Sequence, residues 1–397
     1  MSCISETMKE LVKNSSGIRA MFEEGKRLAR LRGAENVYDF SLGNPSAPPH
    51  EDVKAAVTRI LNEESPTLVH GYMNNSGFED TREKIAQSVN AEFGQDYGAD
   101  NIVMTCGAAG ALNVTLKAII NPGDEVIVFS PFFVEYAYYV SNFNGVTVES
   151  KTDESTFLPD PEDLESKITS RTKAVILNSP NNPTGAVYDE KILKRIAGVL
   201  DAKQKEFGRP IFALSDEPYR KIAYDGVKPP FIPSIYRNCF VAYSYSKALS
   251  LPGERIGYII APSDMDSFDE ITCALNVANR VLGYVNAPSL FQRVAALCRD
   301  TAIDISVYEK NLSFLYSALT DIGYECVKPK GAFYLFPKAP GGDDLKFCAL
   351  AKEFMLLLVP GTAFHTPGYF RLAYCVSYET CVNSIDAFRK AFDRAVS

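Results

Sequence analysis

Between about residue 50 and residue 290 the chain alternates short, continuously apolar runs with longer stretches of helical periodicity. That alternation restricts its fold more than any other feature. The runs are Asn101–Thr105, Glu125–Ser130, Ala174–Asn178, Ile211–Asp216, Phe240–Ser244 and Ile256–Ala261. A strand with one face in water alternates apolar and polar residues, whereas a strand covered on both faces reads as an unbroken apolar run. Helical patterns such as Ala108–Ile120 and Glu190–Phe207 lie between the runs. Strand and helix in alternation predict an α/β fold: a mostly parallel sheet with helices on both sides, three layers in all.

The pattern changes near residue 290. A long helical stretch, Ala287–Leu319, precedes two expected strands, Gly323–Lys328 and Gly331–Pro337, and then a helix at Leu345–Leu357. This is an α+β arrangement. The chain is accordingly expected to form a large domain over 49–289 and a smaller α+β domain built from both termini, 1–48 plus 290–397.

Parallel α/β sheets bind their ligands beyond the carboxyl ends of the strands. Here five runs end in polar or glycine-rich turns: Cys106-Gly107-Ala108-Ala109, Ser130-Pro131-Phe132-Phe133, Asn178 through Gly185, Ser215 through Tyr219, and Ser244-Tyr245-Ser246-Lys247. These turns are expected to share one site. Gly107 opens a helix whose first amides can bind an anion. Ser244 and Ser246 add hydroxyls and Arg255 a cation, a phosphate cradle without the P-loop signature. Lys247 stands one residue beyond Ser246, and Asp216 ends a neighbouring strand. A lysine beside a phosphate cradle, with an aspartate nearby, suits pyridoxal phosphate: the amine forms a Schiff base and the carboxylate keeps the pyridine nitrogen protonated.

Composition removes competing classes. A net charge of −8 argues against a nucleic-acid surface. The three histidines are not spaced with cysteines or carboxylates as a metal site requires, so no metal is expected. Nine cysteines without CxxC spacing read as reduced thiols of a cytoplasmic protein. The N-terminus lacks the apolar segment of a signal peptide, and no apolar run is long enough to cross a membrane.

The segment from Ser244 to Tyr258, with Lys247 and Arg255, resembles the cofactor-lysine motif of class I aminotransferases, the aspartate aminotransferase superfamily of fold type I. Asn181-Asn182-Pro183-Thr184-Gly185 and Asp216-Glu217-Pro218-Tyr219 are similar to that family's motifs in the same order. The resemblance implies an aminotransferase that moves an amino group from an L-amino acid to a 2-oxo acid by a ping-pong route. It implies that Lys247 carries the cofactor and then moves the substrate proton, that Asp216 pairs with the pyridinium, and that Tyr219 and Asn182 hydrogen-bond the ring oxygen. The Asn182–Pro183 bond is expected to be cis. The amides of Gly107, Ala108 and Ala109, with Ser244, Ser246 and Arg255, would hold the phosphate. Phe133, with Phe132 as the competing candidate, would stack on the ring. Tyr72 would reach the phosphate in a partner subunit, which implies a homodimer with shared sites.

For the substrate, the resemblance implies that Arg371 clamps the α-carboxylate, that Gly43 offers its amide to the same group, and that Ile18 lies on a segment that covers the site. Arg280, ahead of Asn286-Ala287-Pro288, is a candidate for an acidic side chain. Gly107 through Gly110 lacks the lysine of one aspartate-preferring branch. A C–S β-lyase on the same fold is the alternative. A non-catalytic cofactor-binding protein is less consistent with the intact Lys247, Asp216 and Arg371, and a regulator built on this domain would need a DNA-binding domain for which residues 1–48 are too short and insufficiently basic.

Overall fold

The computed structural model describes residues 3–13 and 17–397. Two compact units emerge. One comprises Pro45–Ile305 with Pro329–Ala332, the other Met1–Asn44, Ser306–Lys328 and Phe333–Ser397.

The larger unit is built on a seven-stranded sheet. From one edge its strands are Ile102–Thr105, Gly257–Ile260, Cys239–Ser244, Phe212–Asp216, Thr172–Asn178, Glu125–Ser130 and Val146–Lys151. All run parallel except Gly257–Ile260, which is antiparallel to both neighbours. The period of two along each strand divides its side chains between two cores. Ile102, Met104, Val241, Tyr243, Tyr258 and Ile260 enter one apolar cluster, which includes residues of the helices Glu51–Glu63, Glu79–Phe93 and Ser289–Leu297. Val103, Phe240, Ala242 and Ile259 enter the other, with the helices Gly107–Ile119 and Phe268–Val281. Apolar residues at both phases explain the continuous runs, and the helices on either side make the layers of the predicted α/β fold.

Several local details differ from the expected pattern. Val146–Lys151 forms an edge strand that carries no apolar signature, because most of its side chains are exposed or half-buried. The stretch 287–319 is two helices, Ser289–Leu297 and Ser306–Ile322. Their separation at Cys298 through Ile305 puts the first helix in the larger unit, so the boundary falls at 305 rather than near 290. No strand forms over 323–328, and 331–337 contributes only Tyr334–Leu335.

In the smaller unit the helix expected over 345–357 spans Asp344–Glu353. The residues after it, Leu356 to Leu358, are apolar without helical periodicity and are fully buried. Leu356–Leu357 pairs in parallel with Tyr38–Asp39. A three-stranded sheet joins Val359–Pro360, Phe370–Ala373 and Tyr334–Leu335. Among the described residues no helix is long and apolar enough to cross a membrane.

Candidate functional site

In the larger unit the strand register brings the expected turns together. Thr105 and Ser244 both pair with Gly257, so the turns that follow them leave the sheet side by side. Gly107 begins its helix at φ +73°, a conformation that side-chain-bearing residues rarely adopt. A Cβ there would lie 2.9 Å from Arg255 Nη2, and a Cβ on Gly257 would lie 2.9 Å from the Gly107 Cα. The two glycines thus let three segments of backbone and the Arg255 guanidinium close on one point. Arg255 Nη1 donates to Ser246 Oγ at 3.4 Å, and Nη2 donates to the Cys106 carbonyl at 3.4 Å. Ser244 Oγ donates to Ser246 Oγ at 2.7 Å and accepts from the Ser246 amide at 3.1 Å. The amides of Ala108 and Ala109 belong to the first turn of the Gly107–Ile119 helix, where N–H groups have no intrahelical acceptor. Lys247 follows on the short helix Tyr245–Ala248, capped by Ser244.

Asp216 ends a central strand, in register with Asn178 on one side and Ala242 on the other. It is fully buried. Its Oδ2 accepts from the Tyr136 hydroxyl at 2.5 Å and from Asn178 Nδ2 at 3.5 Å. Its Oδ1, also buried, accepts no hydrogen bond among the described residues. Burial pushes the carboxyl up to about 7, and the Tyr136 hydrogen bond opposes that rise. Asn178 Nδ2 donates to the Asp216 carbonyl at 2.9 Å, while its Oδ1 accepts from the Asn182 amide at 2.8 Å. One side chain therefore ties the Asp216 strand end to the Asn182 turn. Asn181 closes that turn by accepting from the Thr184 amide and hydroxyl. The Asn182–Pro183 peptide is cis.

Tyr219 is buried three residues beyond Asp216. Its turn is pinned from behind by the buried Glu217–Arg220 ion pair, and Ser215 donates to Glu217. Phe132 is a core residue. Phe133 is half-buried, with its ring edge-on to Tyr136 at 5.7 Å. Tyr72 is 93% exposed. Arg280 is exposed in the last turn of the Phe268–Val281 helix.

The smaller unit holds Arg371 in the strand Phe370–Ala373, buried to 2% exposure. Its Nη2 donates to the Ser41 carbonyl at 2.6 Å. Its guanidinium lies over the Tyr334 ring at 4.7 Å and the Phe364 ring at 4.8 Å. Gly43 approaches the Tyr334 hydroxyl so closely that any Cβ would collide with it. Ile18 falls in the helix Gly17–Arg32, with its side chain outside the described residues.

Tyr136 was not expected at the site, and Asn178, part of one of the expected turns, was given no role of its own there. Both had a sequence signal: Tyr136 stands about one helical turn after Phe133, and Asn178 ends the strand beside Asp216. Neither residue type announces a partner in a carboxylate that only the fold brings near.

The family described as aminotransferase class I and II matches residues 35–388. An aspartate aminotransferase of Thermotoga maritima is 32% identical over 377 residues, which covers 93% of this chain and 94% of that protein. The crystal structure of an aminotransferase from Eubacterium rectale superposes with a TM-score of 0.97 at 43% identity, covering 100% of both chains. Aspartate aminotransferase from Thermus thermophilus with maleate superposes with a TM-score of 0.87 at 28% identity, covering 98% of this chain and 100% of that one.

Proposed function

The chain belongs to the aminotransferase class I and II family, and from that premise we propose which of its residues hold the cofactor and substrate, and which substrates they select. The protein is a pyridoxal-phosphate-dependent aminotransferase. Bound pyridoxal phosphate supplies a protonated ring that draws off the electron pair left when the substrate loses its α-proton.

The residues fit that group. Asp216 carries the reading: its buried Oδ1 has no donor among the described residues, and a ring N–H would supply one. The glycine-lined junction of Gly107 and Gly257, beside two serine hydroxyls and a guanidinium, suits a phosphate. In this reading the amides of Gly107, Ala108 and Ala109, with Ser244, Ser246 and Arg255, bind the phosphate. Phe133 covers the ring. Asn182 and Tyr219 donate to the ring oxygen.

Lys247 carries the cofactor covalently between turnovers. Its amine, once released, would take the proton from the substrate Cα and deliver it to the carbon on the far side of the nitrogen. Arg371 binds the substrate α-carboxylate, since a buried guanidinium held near two aromatic rings presents its donors in a fixed fork. Gly43 adds its amide, and the segment carrying Ile18 excludes water from the proton transfer.

Tyr72 completes the phosphate site of a second copy, so the working protein is a homodimer. Exposure supports that assignment: Tyr72 is 93% exposed and Leu68, four residues earlier, 53%, and large side chains left open to solvent on one short segment suit an interface. Arg280 selects acidic side chains. Relatives named aspartate aminotransferase make L-aspartate the first donor to test, with a 2-oxo acid as acceptor. We place the enzyme in the cytoplasm.

The deciding experiment titrates the holoenzyme with single amino acids, without an acceptor. An aminotransferase bleaches the visible cofactor absorbance and yields one equivalent of the matching 2-oxo acid. Continuous ammonia release with the absorbance unchanged would reassign the site to elimination.

A further inference from the structure

Tyr72 is followed at once by a segment, residues 73–78, that has no helix or strand of its own until Glu79. An exposed aromatic on such a segment keeps its position only if its backbone is held elsewhere. Side-chain amides do this. Asn279, fully buried on the Phe268–Val281 helix, donates through Nδ2 to the Asn75 carbonyl at 2.8 Å and the Met104 carbonyl at 3.3 Å. Asn286 donates to the Asn74 carbonyl at 2.7 Å and the Met73 carbonyl at 3.3 Å. Asn75 returns a bond from its own Nδ2 to the Val285 carbonyl at 2.8 Å.

The orientation of these amides is dictated. Turned over, Asn279 or Asn286 would set an oxygen against two carbonyl oxygens. Held as they are, each leaves its Oδ1 buried without a hydrogen bond among the described residues. Such an acceptor costs stability, so the donor half of each amide is what the position demands. Met104, the second anchor of Asn279, is the residue before Thr105, where the strand runs out toward Gly107. The same amide thus grips the Tyr72 segment and the strand that leads to the protomer's own cradle.

We propose that Asn75, Asn279 and Asn286 are positioning residues that fix residues 73–75, so that Tyr72 is presented to the cofactor phosphate of a second copy. This rests on the reading of Tyr72 given above. The three asparagines touch no reacting group. Their effect is felt in the other protomer's site.

Mixed dimers test it. One chain carries Lys247→Ala, so turnover comes only from the other, live chain. Asn286→Ala is then placed on either chain, and cofactor affinity at the live site is read from recovery of activity on adding pyridoxal phosphate. On the dead chain, whose Tyr72 serves the live site, Asn286→Ala should weaken that affinity about tenfold, the scale of one buried hydrogen bond. On the live chain it should leave the affinity unchanged. A loss that follows the live chain, or no loss from either, overturns the proposal. Asn279→Ala on the dead chain should weaken the live site likewise, but its bond to the Met104 carbonyl adds a loss of its own on the live chain, so Asn286→Ala, only half-buried, carries the test. Tyr72→Phe in the same format separates the two readings. If Tyr72→Phe acts from the dead chain and Asn286→Ala does not, the clamp is wrong and the shared site stands. If Tyr72→Phe has no effect from the dead chain, the shared site falls, and the clamp with it.

Discussion

Tyr136 donates its phenolic hydrogen to Asp216 Oδ2 across 2.5 Å, between two fully buried groups eighty residues apart in sequence. Burial alone would keep Asp216 protonated, and a neutral acid cannot pair with a pyridinium. The Tyr136 hydrogen bond works against that, and Asn178 adds a longer one. Tyr136→Phe should therefore raise the Asp216 pKa in the apoprotein by roughly one to two units, the equivalent of a hydrogen bond to a charged group. Cofactor affinity measured against pH should show its acid limb displaced upward by that amount. An unmoved limb would mean Tyr136 only packs.

Asp216 also predicts how the apoprotein's stability changes with pH. Its folded pKa, about 7, lies above the ordinary 3.8 because of burial. Between those values the folded chain binds a proton that the unfolded chain releases. This contribution to stability therefore rises as pH falls from about 7 toward 4, at up to about 1.4 kcal/mol per pH unit. Asp216→Asn lacks it. The difference in Tm between the parent apoprotein and Asp216→Asn should move in the parent's favour as pH falls across that window, and calorimetry at several pH values checks the slope.

Gly107 combines a left-handed backbone with a neighbour that leaves no room. At φ +73° and 2.9 Å from Arg255 Nη2, an added methyl strains the chain and displaces the guanidinium. Gly107→Ala should fold with a loss of about 1–3 kcal/mol and bind pyridoxal phosphate about tenfold more weakly, since both effects fall on the cradle. Fluorescence titration of the apoprotein measures it. A variant that loses stability but keeps its affinity would place the phosphate elsewhere.

How far the site could be read from the chain depended on what each residue needed. Lys247, Asp216 and Gly107 stand at the ends of apolar runs, and strand periodicity alone carries such positions to one sheet edge. The two-phase apolar pattern of Phe240 to Ser244 likewise announced a strand covered on both faces. Val146–Lys151 gave no such signal, because an edge strand with exposed side chains needs no apolar phase. The break at Cys298 was hidden by the opposite effect: apolar residues on either side continue a helical pattern that the backbone leaves. Tyr136, Asn178 and the three asparagines behind Tyr72 act through hydrogen bonds to distant backbone or to a buried acid, and no local pattern encodes a partner so remote.

Lys247→Ala should retain pyridoxal phosphate through the cradle, without the covalent link, and lose turnover by roughly four orders of magnitude, the upper range for removing a proton-transfer group. Gel filtration should strip the cofactor from the variant and leave it on the parent protein. Near-normal turnover in the variant would overturn the assignment of this lysine.

Arg371 and Arg280 should fail in different ways, and the contrast tests both. Arg371 is buried, lies over Tyr334 and Phe364, and donates to the Ser41 carbonyl. A lysine there keeps the charge but not the planar fork or the aromatic stacking. Because every amino acid shares the α-carboxylate, Arg371→Lys should lower kcat/KM for all donors by a similar factor, on the order of a hundredfold for a charge-assisted pair. Arg280 is exposed and, in the proposed reading, addresses only a second carboxylate. Arg280→Ala should lower kcat/KM for L-aspartate while leaving L-alanine and L-phenylalanine within about twofold, since these offer it nothing to bind. Steady-state kinetics on the three donors separates the outcomes. A uniform loss from Arg280→Ala would make it structural, and a loss confined to acidic donors from Arg371→Lys would exchange the two roles.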